Sequence, residues 1–112
     1  MNARDIVKAR AGERCERCGT NWSEFWSIHH RRPRGMGGSK RAEINSPANL
    51  ILLCGSGTTG CHGWIESNRA QAYDDGLLVR SGMDPRSVPV RLRAGRVWLL
   101  PDGDMQPCRV ET

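Results

Sequence analysis

Two pairs of cysteines, Cys15 with Cys18 and Cys54 with Cys61, restrict the fold of this chain more than any other feature of it. In a reducing compartment the Cys-x-x-Cys spacing means a metal site more often than a disulfide. The second pair, held apart by GSGTTG, supplies two further thiolates, and four thiolates close a tetrahedral zinc site that keeps no open position and serves structure alone. Residues 15 and 61 must therefore meet, and whatever lies between them must fold back around that point. The chain has 112 residues, 38% of them hydrophobic, with one Phe and one Tyr, so its core is thin and a structural ion is a plausible brace. Cys108 lies in the tail, outside both pairs, and is read as an unrelated thiol.

The periodicity places short elements around the cysteines. Asn2 is a cap for a helix over residues 3–11, with Asp5 at its positive end, Ala3, Ile6, Val7 and Arg10 on one face, and Gly12 at its stop. Residues 25–31, FWSIHHR, read as a strand with Trp26 and Ile28 on one face, and residues 49–53, NLILL, as a buried second strand. A helix follows from about Cys61 to Asp74, with Thr59 as its cap and Gly76 as its stop. Beyond Ser81, VPVRLR and RVWLL alternate around Ala94 and Gly95 and predict a β-hairpin, with PDGD as a further turn. The expected organisation is a domain over 1–80 and a C-terminal appendage over 81–112. Trp22, Trp26 and Trp64 are read as core residues, because apolar cover near the cysteines is scarce.

Net charge is +5, and all but two of the seventeen cationic residues are Arg, whose planar fork pairs two-pronged with phosphate; a polyanionic partner, most simply nucleic acid, follows. No segment has the apolar run of a membrane helix, and the first fifteen residues lack the apolar centre of a secretory signal, so a cytoplasmic location is expected. The chain holds three histidines, all beside the cysteine framework: His29 and His30 end the first strand and His62 directly follows Cys61. Successive strand residues point to opposite faces, so one of the two neighbouring imidazoles is free to bind metal while the other stays unligated. His62, at the start of the helix, is positioned to meet the inward-pointing His29, and Glu66 lies one turn further along the same face.

These residues resemble the HNH endonucleases. SIHHRRPRGMGG, SPANLILLC and GCHGW run in that family's order over roughly residues 15–70, and the flanking cysteine pairs look like its zinc-bearing branch. The resemblance implies an α+β fold with a ββα-metal (His-Me finger) core on a four-cysteine zinc site. It implies His30, Asn49 and His62 as the catalytic motif: His30 the general base, Asn49 a structural tie for the loop between the strands. His29 and His62 would be ligands of a catalytic divalent ion, with Glu66 a tentative third. Many members carry Asp where this chain has His29, and some a second His where it has Glu66, so the resemblance implies a divalent ion from the set Mg2+, Mn2+, Ni2+ and Zn2+. The wording is especially similar to small bacteriophage and prophage members often encoded near packaging genes, which implies DNA as substrate and phage terminase subunits as candidate partners.

The chemistry suits the assignment. Hydrolysis of a phosphodiester needs a base to deprotonate water, and neutral imidazole has the required pKa; it also needs a cation at the leaving oxygen. Arg31, Arg32, Arg34, Lys40 and Arg41 put five cations within eleven residues of the loop after the first strand, and are the expected DNA contacts. The competing reading is a non-catalytic zinc module that binds DNA or a partner.

Overall fold

The computed structural model describes residues 2–33 and 42–108, with the side chains of Ala42 and Glu43 outside the description. Helix α1 spans Ala3–Ala11; Asn2 caps it by accepting from the Asp5 N–H at 2.9 Å, and Gly12 ends it in the left-handed region. Strands β1 (Trp26–His30) and β2 (Leu50–Cys54) pair antiparallel, with His29 opposite Ile51 and His30 opposite Leu50. Both faces of β2 are covered, which explains its unbroken apolar sequence. Leu50 and Leu52 pack with Val7 of α1 and with Ile28, while Ile51 and Leu53 join a larger core on the other side.

The continuous helix expected over 61–74 is instead two, α2 (Gly60–Ser67) and α3 (Arg69–Asp74), broken at Asn68. The side-chain amide of Asn68 donates to the Trp64 carbonyl at 2.9 Å, the local competition with helical hydrogen bonding for which Asn is known. Thr59 stands at the N-cap of α2, but its hydroxyl accepts from the Ser56 N–H rather than from the helix. The chain leaves α3 through Gly76, which has a φ of 75°; a Cβ there would come within 1.9 Å of the Pro89 carbonyl oxygen.

The C-terminal segment forms three strands, not two: β3 (Val90–Leu92), β4 (Gly95–Leu99) and β5 (Met105–Pro107), in that order in one antiparallel sheet. Val90, Leu92, Val97 and Leu99 belong to the same core as Ile51, Leu53, Cys61, Ile65 and Ala72, so residues read as an appendage contribute to the main core. Trp64 packs against it as expected. Trp22 and Trp26 do not: they are 75% and 40% exposed, and Phe25 is exposed beside them. No helix among the described residues is long and apolar enough to cross a membrane.

Candidate metal centre and histidine cleft

Cys15, Cys18, Cys54 and Cys61 converge so that their sulfurs all lie within 4.8 Å of one another, close enough to hold a metal ion. The Cys18 and Cys54 sulfurs are 3.8 Å apart, the separation expected for thiolates about 2.3 Å from one tetrahedral zinc. The knuckle brings Cys15 and Cys18 together through a Gly19 N–H to Cys15 carbonyl hydrogen bond, and Cys18 N–H points at Cys15 Sγ. The long spacing of the second pair closes because its loop doubles back. Gly55 has a φ of 93° and approaches the Thr59 carbonyl so closely that a Cβ would sit 2.0 Å from its oxygen. Cys61 N–H then points at Cys54 Sγ, and the Arg17 guanidinium, stacked 3.9 Å over the Trp64 ring, donates to Cys61 Sγ at 3.3 Å.

The thiols share protons unevenly. A hydrogen bond from Cys61 pulls the Cys15 thiol below its ordinary pKa; the same bond, with burial, pushes Cys61 up, and burial pushes Cys54 up. Without a cation the quartet thus favours a thiolate on Cys15 and protons on Cys54 and Cys61, and a divalent ion is what would let the sulfurs carry charge together. The donor set fits zinc.

The histidines lie beside this centre. Ile28, His29, His30, Pro33, His62, Glu66, Arg69 and Leu78 line a cleft of about 470 Å³. Neighbours from both faces of β1 contribute, so the cleft runs along the strand's outer edge and around its end. The ring centroids of His29 and His62 are 5.5 Å apart. His29 is 6% exposed, and its Nε2 donates to the Leu77 carbonyl at 2.8 Å, which leaves the lone pair on Nδ1. Burial, opposed by that carbonyl, holds its pKa down to about 4, so the ring is neutral at neutral pH.

His62 has the opposite tautomer. Ser27 Oγ donates its proton to the Gly55 carbonyl at 2.7 Å and so can only accept from His62 Nδ1, 2.9 Å away, which frees His62 Nε2. His30 Nε2 donates to Asn45 Oδ1 at 3.1 Å, leaving Nδ1 as the acceptor. Asn45 was not evident from the sequence as part of this site. Glu66 is exposed and lies 3.4 Å from Arg69. Among the described residues, the cysteines are the one group of three or more His, Cys, Asp or Glu side chains with all ligand atoms within 4.8 Å, so His29, His62 and Glu66 share a cleft without closing that tightly.

Asn49 is fully buried. Its amide donates to the Ile44 and Arg32 carbonyls and accepts from the Arg32 N–H, tying both ends of the segment between β1 and β2.

Arg31 overturns its expected role. It has no exposure, and its guanidinium donates to four carbonyls, those of Gly76, Ala48, Pro85 and Val88, at 2.6–3.0 Å. It is a buried bracket, not a DNA contact. Arg32 is 6% exposed and donates to the Met83 carbonyl at 2.8 Å. Arg34, Lys40 and Arg41 lie outside the described residues. Arg69, which the sequence reading passed over, does line the cleft. No family model, no curated protein and no solved structure matches this chain, so the functional reading rests on the geometry of the cleft and the thiol cluster.

Proposed function

We propose that the chain is a metal-dependent endonuclease that hydrolyses DNA phosphodiesters, with a ββα-metal core of the HNH kind and a structural zinc on Cys15, Cys18, Cys54 and Cys61. The observation that carries this reading is the meeting of three imidazoles in one cleft, each with one nitrogen hydrogen-bonded to the protein and the other left as a lone-pair donor.

His29 Nδ1 and His62 Nε2 would hold a divalent ion, with Glu66 as an exposed carboxylate in reach of the same cleft. When bound, that ion supplies Lewis-acid stabilisation of charge at the phosphate and leaving oxygen. His30 takes the proton from the attacking water on Nδ1, while its Nε2–H to Asn45 Oδ1 fixes the ring's tautomer and steadies the positive charge it acquires. His29 is poorly suited to that role, because burial opposes its protonation. Asn49 holds the segment that carries Asn45 against the end of β1.

Supercoiled plasmid incubated with zinc-loaded wild type and His30→Ala, under a panel of divalent ions, tests the proposal. Wild type should nick or linearise it, and His30→Ala should be about a hundredfold to ten-thousandfold slower while still binding DNA. Equal cutting by both, or no cutting by wild type with any ion, would leave a non-catalytic zinc module as the better reading.

A further inference from the structure

We propose that Arg69 and Arg80, set against the ring of Tyr73, are the side chains that grip the phosphate backbone of DNA at the mouth of the histidine cleft. This rests on the nuclease reading above and assigns the substrate-holding residues of that same site.

The segment after α3 runs along the end of β1. Leu77 accepts from His29 Nε2, and Val79 N–H donates at 2.8 Å to the carbonyl of Arg31, the residue that follows His30, so Arg80 stands one residue beyond a tie to the end of β1. Arg69 starts α3 and lines the cleft itself. Tyr73, half-buried against the core, sits under both guanidiniums: Arg80 Cζ is 4.3 Å and Arg69 Cζ 5.9 Å from its ring centroid. Cation–π contact holds a guanidinium by its face and leaves its N–H edge, the part that matches phosphate two-pronged, directed elsewhere.

Both arginines are exposed. Arg69 has Glu66 as an acidic neighbour, but at 3.4 Å and with both side chains nearly half-exposed, a pair of this kind is weak and exchanges readily for phosphate. Their state contrasts with that of Arg31, fully committed to carbonyls, and of Arg32, buried and donating to Met83. Exposed cations held on an aromatic face, one of them lining the cleft, are suited to a ligand; cations buried against carbonyls are suited to a fold.

The test is fluorescence anisotropy of a labelled DNA duplex, titrated with zinc-loaded His30→Ala protein across a salt series and without added cleft metal. Placed in that background, Arg69→Gln and Arg80→Gln should each weaken binding severalfold. Each should also lower the slope of log affinity against log salt by about one, the signature of a lost phosphate contact. Arg69→Lys should keep most of the slope and lose part of the affinity, since it retains the charge without the fork. Arg4→Gln, on α1 at the opposite face of the hairpin, should change both little. Unchanged slope and affinity in Arg69→Gln and Arg80→Gln, or an equal loss in Arg4→Gln, would overturn the assignment while plasmid cutting by wild type kept the nuclease reading intact. Failure of the His30→Ala protein to bind duplex at all would overturn both.

Discussion

Replacing Arg31 with Met separates a buried bracket from a DNA contact. The guanidinium makes four hydrogen bonds to carbonyls, and Met in its place would leave these acceptors without that donor; at about 1 kcal/mol for each, the low end of the range for a polar group left unpaired, Arg31→Met should lose about 4 kcal/mol, against a total of about 5–15 kcal/mol for a domain of this kind. With a urea slope of about 2 kcal/mol per molar, the midpoint should fall by about 2 M. Urea unfolding of the zinc-loaded proteins, followed by circular dichroism with zinc content measured in parallel, reads this directly. A variant within about 1 kcal/mol of wild type in stability, yet impaired in DNA binding, would return Arg31 to the nucleic-acid surface.

Stripping the metal with a strong chelator should unfold the region around α2 or leave it far less protected from proteolysis, and Cys15→Ser should lose metal and stability together, because Cys15 sits in the main core as well as in the quartet. His29 makes the fold acid-sensitive before the cleft is loaded. The folded state keeps it neutral to about pH 4, whereas the unfolded chain takes up that proton near 6.5, so between those values only the unfolded state gains a proton and stability falls as pH drops, by about 3 kcal/mol in all. The difference in unfolding free energy between wild type and His29→Gln, measured across that window, should shrink by about this amount, and a pH-independent difference would contradict it. Asn45→Ala should slow single-turnover nicking about ten- to hundredfold and leave DNA affinity unchanged, since Asn45 acts through His30; a loss of affinity with normal turnover would count against that role.

The parts of this molecule that were legible in the sequence are those where residue type and local spacing suffice. Asn2 and Gly12 mark the two ends of α1 because capping is a contact within three or four residues. The run LILLC announces a strand buried on both faces, and the cysteine spacing announces a thiol cluster. His29 and His62 were expected to meet because a strand end and a helix start flank the cysteines, and their rings do lie 5.5 Å apart. What escaped depends on distant partners. The carbonyls that capture Arg31 come from residues 48, 76, 85 and 88, so nothing near it in the chain distinguishes it from the neighbouring loop cations. Arg69 and Arg80 gain their setting only when Tyr73 is placed between them. The break at Asn68 turns on one side-chain hydrogen bond competing with a helical turn, a balance too fine for periodicity to register. Strand β5 has three residues and is defined by pairing with β4 rather than by any pattern of its own.

If His29 and His62 grip an exchangeable ion and His30 does not, calorimetric titration of Mn2+ or Co2+ into protein whose thiol site is already filled with zinc should find one added site in wild type, retained in His30→Ala and lost or greatly weakened in both His29→Ala and His62→Ala. Undiminished binding in either of the latter two, or its loss in His30→Ala, would rule out this division of labour among the three imidazoles.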